Sequence, residues 1–415
     1  MKSSKFSGQN VSAVKAQNVK AILMHLLHKE PVYRVDLARD ISVSTTTVTK
    51  LIDELIDQGI VQEGVVEVEG ERPVGRPKSA LFLNKNAYYA IAVHIGGSRY
   101  RIGIVNLRDE IISFYKTEYD FSQPCEELLE EICDQLNKMI NESGIERNKI
   151  IGIGIGVPGI VDAAEGVIGY SKNHGWKDVQ VKDFFTSKFD CQIAVENNVR
   201  AMALGEALFG DGRTVDNLLF IYGSRGVGAG IVVDRKILRG ISQGAGEIGH
   251  TYLICNDGSK SISESSSTLE DLISVSALIN ESKAIIDQNP QCEFSNKLYS
   301  LDGNELVEAV FELAKEGDPN AKKIIEKISR FLGIAILNAI NFINPELILL
   351  GGLYAEYENL FIPRVREMAD NLTFANIGRK VDIRATEFGW RAGLFGAGAL
   401  ALSQFFYLPP ENIEG

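Results

Sequence analysis

The constraint that most limits the fold of this chain is a series of apolar segments interrupted by glycine turns, which begins near Ala87. Its first unit is the apolar segment Tyr89–Ile95, the turn Gly96-Gly97, and a second apolar segment over residues 101–107. Apolar runs of this length on either side of a glycine turn predict two β-strands. The backbone N–H groups of such a turn can bind phosphate. Amphipathic helices alternate with strands further along, so residues 86–415 are predicted to form an α/β region.

The first 85 residues follow a different pattern, that of three helices. Apolar residues lie on one face of a helix that ends near His28, and that face consists of Val19, Ile22, Leu23, Leu26 and Leu27. A second, short helix is predicted over residues 35–41, and a third helix ends at Gly59. This is the spacing of a helix-turn-helix. Residues 61–69 and 80–83 predict two strands on either side of a loop, so the sequence predicts a winged helix over residues 1–85.

The third helix begins with small hydroxyl side chains, capped by Ser42 or Ser44. Such side chains can approach phosphates and base edges in the major groove. The predicted contacts to DNA are Ser44, Thr45, Thr46, Thr47, Thr49 and Lys50. The alternative interpretation is a capped surface helix whose threonines serve solubility.

The predicted wing, residues 70–79, carries Arg72, Arg76 and Lys78, and Gly75-Arg76-Pro77 lies at its centre. An extended loop of this kind can place a guanidinium in the narrow minor groove. An ordinary Gly-Pro turn would explain the same residues. The helix-turn-helix and the basic wing together indicate double-stranded operator DNA as a partner.

Charge is distributed unevenly along the chain. The formal net charge is −12. Residues 1–85 carry 12 Lys/Arg and 10 Asp/Glu, a net of +2, so the remaining residues carry −14. DNA binding is therefore expected to use a focused basic surface. The sequence lacks an apolar run of membrane-spanning length and a secretory segment, and its five cysteines are scattered, so a cytoplasmic protein with reduced thiols is predicted.

Several motifs of the α/β region, in order along the chain, resemble those of the ROK family (repressors, open reading frames and kinases). Besides the first glycine turn, they are 154–162, Asn173-His-Gly-Trp176, Glu196-Asn-Asn198, Gly205-Glu206, 244–250, Leu269-Glu270 and 344–352. The resemblance covers residues 86–405 and implies a two-lobed, actin-like ATPase fold. It implies a first lobe of residues 86–197 with 388–405, and a second lobe of residues 198–387. The N-terminal unit resembles the winged helix of the family's xylose-repressor branch.

The resemblance also implies a sugar site in the cleft between the lobes. Its members mix hydrogen-bond donors and acceptors, which suits ring hydroxyls. The residues expected to bind sugar are Asn173, Asn197, Asn198, Glu247, His250 and Glu270. Considered alone, Glu247 could instead cap a helix, and His250 could be a polar group of the core.

Three departures from the family pattern argue against kinase activity. His94 stands where the kinases have an Asp at the first phosphate motif, and an imidazole does not suit Mg²⁺. Asn198 stands where the kinases have their catalytic Asp, and loss of a general base costs about 10² to 10⁴ in rate. Arg225 enters the second phosphate loop, where it could bind an anion; we favour that it fills the nucleotide cleft. No catalytic residue and no cofactor are therefore predicted.

The zinc site common in this family is also expected to be lost. By resemblance its ligand positions are His250, Ser261, Ser263 and Thr268, and hydroxyls are poor zinc ligands beside thiolates. Cys255 adds at most one thiol, so no metal is predicted.

Together these patterns predict a sugar-responsive transcriptional regulator, a repressor by family default, acting as a homodimer or higher homo-oligomer. Two alternatives stay open: an active sugar kinase with an accessory DNA-binding domain, and a DNA-binding dimer whose larger domain is only a scaffold.

Overall fold

The computed structural model describes residues 11–65, 79–120, 123–255 and 266–407. The first described elements are the helices α1 (Val11–His28), α2 (Arg34–Asp40) and α3 (Thr45–Asp57). Their apolar faces pack together, and Leu26, Leu37 and Ile52 are fully buried. The helix α3 starts after Ser44 because the Ser44 hydroxyl accepts a hydrogen bond from the Thr47 N–H at 3.2 Å.

Two antiparallel strands follow, β1 (Val61–Val65) and β2 (Ser79–Leu83). Val32, which precedes α2, pairs with Leu81 of β2 and attaches the hairpin to the helices. Three helices with such a hairpin form the predicted winged helix. Most of the predicted wing, including Arg72, Arg76 and Lys78, lies outside the described residues, as does the end of the strand predicted over residues 61–69.

A five-stranded sheet forms the first lobe of the α/β region. The strands here are β3 (Tyr89–Ile95), β4 (Arg99–Asn106), β5 (Ile111–Glu118), β6 (Ile150–Val157), β7 (Ile160–Asp162), β8 (Val167–Ser171), β9 (Trp176–Gln180) and β10 (Gln192–Asn197). The spatial order is β10-β6-β3-β4-β5, and β7, β8 and β9 make a separate small sheet. The helices α4 (Cys125–Ser143) and α5 (Val181–Thr186) belong to this lobe and contribute Leu128 and Phe185 to its core.

The second lobe repeats the topology of the first. Its strands are β11 (Leu218–Gly223), β12 (Val227–Val233), β13 (Lys236–Ile237), β14 (Tyr252–Cys255), β15 (Ser266–Thr268), β16 (Leu347–Gly352) and β17 (Asp382–Ala385). The order β13-β12-β11-β16-β17 matches that of the first lobe, because each sheet has an antiparallel run of three strands extended by two parallel strands. This duplication is typical of the actin-like fold that the resemblance implies.

Helices fill the space around and between the two sheets. They are α6 (Asn198–Phe209), α7 (Leu269–Ile273), α8 (Val275–Gln288), α9 (Glu293–Leu298), α10 (Gly303–Glu316), α11 (Pro319–Ile343), α12 (Leu353–Glu356), α13 (Glu358–Leu372) and α14 (Ala392–Leu402). The two helices α6 and α14 cross in close contact, since a Cβ on Gly396 would lie 2.6 Å from the carbonyl carbon of Ala201. The last helix also lies directly on β6, where a Cβ on Gly154 would lie 2.0 Å from the Ala397 carbonyl oxygen.

The winged helix packs against the α/β region through a shared apolar core. Residues of α1 and α3 belong to the same buried cluster as Leu394 and Leu402 of α14. Glu30, after α1, forms an ion pair with Arg108, and Arg108 also donates to the Leu27 carbonyl oxygen at 3.2 Å. The orientation of α1 is therefore coupled to the first lobe. Among the helices of the described chain, none combines the length and the apolar character needed to cross a membrane.

Candidate sugar-binding cleft and DNA-binding surface

A cleft of about 750 Å³ lies between the two lobes. That volume is within the range of small-molecule sites. All six residues predicted to bind sugar line it: Asn173, Asn197, Asn198, Glu247, His250 and Glu270. They come from both lobes, so a ligand that contacts all of them would hold the lobes together.

The two asparagines of the Glu-Asn-Asn motif have different tasks. Asn197 caps α6, because its Oδ1 accepts hydrogen bonds from the Val199 and Arg200 N–H groups and its Nδ2 donates to the Gly159 carbonyl at 2.9 Å. Three of the hydrogen bonds that an amide can make are thus used within the protein. Asn198 donates a hydrogen bond from Nδ2 to the Ile95 carbonyl at 3.3 Å and lines the cleft, so its Oδ1 can accept from a ligand hydroxyl.

Glu270 and Asn173 face each other beside Gly226. Glu270 accepts a hydrogen bond from the Val227 N–H at 2.9 Å through Oε2. A Cβ on Gly226 would lie 2.8 Å from that oxygen and 3.6 Å from Asn173 Nδ2. Glycine is required there because a side chain would occupy the space between an acceptor of the second lobe and a donor of the first.

Glu247 and His250 form the adjacent wall of the cleft. The Glu247 carboxylate and His250 Nε2 are 3.9 Å apart. Burial raises the pKa of Glu247, opposed by the nearby charges of His250 and Arg200. A half-buried carboxylate beside an imidazole offers an acceptor and a donor to a ligand hydroxyl.

A buried ion network beside the site was not predicted from the sequence. Glu196 is fully buried and accepts from Arg200 Nε and from Arg239 Nε, each at 2.8 Å. Arg200 also donates to the Gln243 carbonyl at 2.6 Å. Glu196 belongs to β10, whereas Arg239 and Gln243 lie in the segment that follows β13, so the network joins the two lobes. The i,i+4 spacing of Glu196 and Arg200 was the only signal of it in the sequence.

The cleft also contains the altered phosphate motifs. His94 is almost fully buried, and its Nδ1 lies 3.2 Å from Nη1 of Arg101. Burial, and then the charge of Arg101, lower the pKa of His94 to about 3, so the imidazole is neutral. A neutral imidazole that contacts a guanidinium does not provide the oxygen ligand that Mg²⁺ prefers. These residues do not fit a magnesium nucleotide.

Arg225 packs its side chain on the first glycine turn. A Cβ on Gly97 would lie 3.6 Å from Arg225 Cβ and 3.7 Å from Arg225 Cδ. Arg225 therefore contacts the turn, and both residues line the cleft. That Arg225 fills the nucleotide cleft stays a prediction.

The described part of the chain offers no zinc site. Thr268, one of the family's ligand positions, donates its hydroxyl to Asp271 at 2.6 Å and caps α7. Ser261 and Ser263 lie outside the described residues, and so does the side chain of Cys255. Within the described ranges, no group of three or more His, Cys, Asp or Glu side chains could hold a metal ion.

The predicted DNA-binding residues of α3 lie on one surface. Thr45, Thr46 and Lys50 are exposed, and Thr49 lines the same shallow depression as these three residues. Thr47 is the exception, because its hydroxyl lies 2.7 Å from that of Ser44 and so belongs to the helix cap.

Three acidic residues of α3, Asp53, Glu54 and Asp57, line the same depression as the threonines, and two of them are paired with cations. Asp53 lies 2.8 Å from Arg34 Nη1, and Glu54 lies 2.6 Å from Lys15 Nζ. Burial disfavours the charged form of Arg34, whereas hydrogen bonds to Asp53 and Glu63 favour it. The net effect is a raised pKa of Arg34. These pairs reduce the negative potential beside the threonine surface.

Comparison with known proteins shows which family and which relatives this chain resembles. A family model described as "ROK family" matches residues 90–404. The "Xylose repressor" of Caldicellulosiruptor bescii is 27% identical over 408 residues, which cover 96% of this chain and 99% of the relative.

Solved structures agree with this sequence comparison. A structure described as a ROK family transcriptional regulator, homolog of E. coli MLC protein, matches with a TM-score of 0.79 at 23% identity, over 94% of this chain and 96% of that one. A ROK family glucokinase from Streptomyces griseus, in complex with glucose and AMPPNP, matches with a TM-score of 0.65 at 26% identity, over 76% of this chain and all of the kinase (100%). The repressor and the regulator match nearly the whole chain, whereas the kinase matches about three quarters of it. The match of the family model to residues 90–404 shows that the chain belongs to the ROK family, as its motifs predicted.

Proposed function

We propose that this chain is a sugar-responsive, DNA-binding transcriptional repressor of carbohydrate-utilisation genes whose cleft holds a sugar without phosphorylating it. The observation that carries the proposal is the composition of the cleft. Polar side chains of both lobes that suit ring hydroxyls line it, together with Asn198 and His94, which stand where the family's kinases have carboxylates by the motif comparison. The names of the repressor and the regulator that match nearly the full length support this assignment.

We assign DNA binding to residues 1–85 and sugar binding to residues 86–415. The exposed side chains Thr45, Thr46 and Lys50 would contact operator DNA, with Thr49 beside them. Arg72, Arg76 and Lys78 would enter the minor groove from the wing. A homodimer in the cytoplasm, with two winged helices on the two half-sites of an operator, completes the proposal.

Helix α6 provides the connection between sugar and DNA. It starts at Asn198 in the cleft, and near its other end Leu204 and Leu208 belong to a cluster against which Met24 of α1 packs. A sugar that favours one closure of the lobes would displace α6 relative to the first lobe and shift the population of winged-helix orientations. The spacing of the two DNA-binding surfaces in a dimer would then change.

A sugar screen with two readouts tests the proposal. Thermal unfolding of the full chain is measured with glucose, xylose, N-acetylglucosamine and common oligosaccharides, because a bound ligand stabilises the folded state. ADP release is measured with the same sugars and Mg-ATP. We expect at least one sugar to raise Tm and no sugar to stimulate ADP release. Sugar-dependent ADP release would instead support the kinase alternative, and a screen without any stabilising sugar would support the scaffold alternative.

A further inference from the structure

The helix α1 of the winged helix lies against both lobes. Its C-terminal end is attached to the first lobe, because Arg108 donates to the Leu27 carbonyl oxygen and forms an ion pair with Glu30. Three residues before Leu27, Met24 packs against the same buried cluster as Ile237 of β13, in the second lobe. A helix that is held by one lobe and touched by the other is displaced when the lobes move relative to each other.

Charged side chains of both lobes also converge on His28, the last residue of α1. Arg213 and Arg235 come from the second lobe, and Arg108 comes from the first. Partial burial, followed by the charges of Arg235 and Arg213, lowers the pKa of His28 to about 4, so the imidazole is neutral. The end of α1 therefore lies close to arginines of both lobes.

The hairpin of β12 and β13 is a fixed part of the second lobe. Its two-residue turn consists of Asp234 and Arg235, which have φ angles of 49° and 63°. Two positive φ angles give a turn that matches the twist of the strands it joins. Arg235 also donates from Nη1 to the carbonyl oxygens of Arg213 and Val215, at 3.2 and 3.3 Å. Ile237, two residues after this anchored turn, therefore moves with the second lobe.

The chain that follows the hairpin leads directly to the cleft. Arg239 donates to Glu196 of the first lobe at 2.8 Å. The carbonyl oxygen of Arg239 accepts from the Ala245 N–H at 2.9 Å, which closes this part of the chain into a compact loop. Glu247, two residues further along, lines the cleft. The segment 237–247 thus contacts the cluster beside α1 at one end and the proposed sugar site at the other.

We propose that the β12–β13 hairpin transmits the closure of the lobes to the winged helix, through Ile237 and Arg235 at the C-terminal half of α1. This inference rests on the proposed function and specifies how sugar binding is coupled to DNA binding. A sugar that contacts Glu247 acts on the segment that carries Ile237, so a movement of the second lobe displaces the hairpin along α1. Because Arg108 holds the end of α1 on the first lobe, α1 turns about that attachment and carries α3 with it.

The hairpin is a second connection beside α6. Leu204 and Leu208 of α6 belong to the cluster against which Met24 packs. Arg235, by contrast, acts on His28 from the hairpin. Substitutions at the hairpin therefore test this connection separately from α6.

The operator Kd of the full chain, measured without and with saturating sugar, gives the ratio that tests the proposal. The operator is selected by the chain from random-sequence duplexes, and the sugar is whichever of glucose, xylose and N-acetylglucosamine raises Tm. Ile237→Ala removes most of the hairpin's apolar contact, and Ile237→Val retains most of it. Ile362→Ala is the matched control, because Ile362 is partly buried against the core of the second lobe and does not line the cleft.

In the wild type we expect sugar to change the operator Kd by at least fivefold. In Ile237→Ala the change is expected to fall below twofold, while the sugar Kd, measured by calorimetric titration, stays within twofold of the wild-type value. Ile237→Val and Ile362→Ala are expected to retain the wild-type change. This pattern separates transmission from sugar binding, because only the first depends on the contact with α1.

A charge substitution tests the contact itself, without sugar. His28→Glu places a carboxylate near Arg235, and its effect on Tm is measured in the wild type and in an Arg235→Gln background. We expect the effect to be more favourable by about 1 to 2 °C when Arg235 is present. The helix dipole disfavours a carboxylate at the end of α1 equally in both backgrounds, so the comparison removes that contribution.

Three outcomes would overturn the proposal while the wild type still responds to sugar. They are an unchanged ratio in Ile237→Ala, an equal effect of His28→Glu in both backgrounds, and loss of sugar binding in Ile237→Ala, which would mean that the hairpin only supports the cleft. Each of them leaves the proposed function intact. A wild type whose operator Kd is the same with and without a bound sugar would contradict both proposals.

Discussion

Arg200 of α6 and Glu196 of β10, four residues apart in the sequence, form an ion pair of 2.8 Å in which both side chains are almost completely buried. The pair lies where the strand β10 of the first lobe continues into α6, next to the cleft. Since Arg239 binds the second carboxylate oxygen, Glu196 is held between one residue of α6 and one of the second lobe. A sugar that changes the closure of the lobes must therefore alter the contact between them that this network stabilises. We call this contact the joint.

Removal of one partner tests how much this joint contributes to stability. Arg200→Gln leaves the Glu196 carboxylate buried with less compensation, so we expect the free energy of unfolding to fall by about 3 to 5 kcal/mol. The exposed pair of Arg364 and Glu367 is the matched control, and Arg364→Gln should cost less than about 1 kcal/mol. Urea denaturation measures both variants, and equal losses would show that the buried network does not stabilise the joint.

Glu270→Gln tests the proposed sugar site. Glutamine can still accept from the Val227 N–H, so the fold should be kept while the charged acceptor for a sugar hydroxyl is lost. A hydrogen bond to a charged group contributes about 1.5 to 3 kcal/mol, which corresponds to at least a tenfold weaker sugar Kd in the variant. Calorimetric titration with the sugar found in the screen measures it. Glu281→Gln, outside the cleft, should leave the Kd unchanged, and an unchanged Kd in Glu270→Gln would exclude the assigned role.

Lys50→Ala tests the DNA-binding surface of α3. Lys50 is exposed beside Thr46 and Thr49, where a phosphate contact is expected. Loss of such a contact weakens binding to all sequences similarly and reduces the slope of log K against log salt by about 1. Fluorescence anisotropy with operator and unrelated DNA at several salt concentrations measures both effects. Lys138→Ala, on an exposed position of α4, should change neither the affinity nor the salt slope. If Lys50→Ala also changes neither, Lys50 does not contact DNA.

Glu206 gives the stability a dependence on pH. Burial raises its pKa from 4.5 to about 7, although hydrogen bonds to Thr386 and to the Asp211 N–H oppose the rise. Between these values the unfolded chain has lost the proton while the folded chain retains it, so this residue's contribution to stability falls as the pH rises. The difference is worth about 3 kcal/mol, at about 1.4 kcal/mol for each pKa unit.

The expected measurement is the free energy of unfolding at pH 5 and pH 7.5 for the wild type and Glu206→Gln. Glutamine can donate to Thr386 and accept from the Asp211 N–H, so it retains both hydrogen bonds without titrating. Relative to the variant, the wild type should lose stability at the higher pH. A constant difference between the two proteins at both pH values would show that Glu206 does not titrate in this range.

The sequence predicted those parts of the molecule whose signals are local. The apolar faces of α1 and α3, with Leu26 and Ile52 in the core, followed from periodicity. The start of α3 was predicted from a capping hydroxyl at Ser42 or Ser44, and the structure shows Ser44 in that role. The six cleft residues were predicted because the family resemblance preserves their order along the chain. Periodicity alone would not have brought Asn173 and Glu270 together, since they belong to different lobes.

The features that the sequence did not predict are of two kinds. Some depend on contacts between residues far apart in the sequence, and others on a side chain that could either bind a ligand or cap a helix. Arg239 meets Glu196 from 43 residues away, and no local pattern marks it. The contact between Arg101 and His94 was missed because Arg101 lies in an ordinary strand pattern, and only the pairing of β3 with β4 places it against His94. Asn197 and Thr47 were predicted as ligand contacts, but both use their side chains mainly to cap the start of a helix.

The affinity of the full chain for its operator, measured with and without a sugar shown by thermal unfolding to bind, tests the central claim most directly. At fixed salt and saturating sugar, we predict a change of at least fivefold in the operator Kd, the usual scale of coupling between two sites, without any ADP formed when Mg-ATP is present. An operator Kd that is the same in both conditions, with the sugar demonstrably bound, would contradict the account.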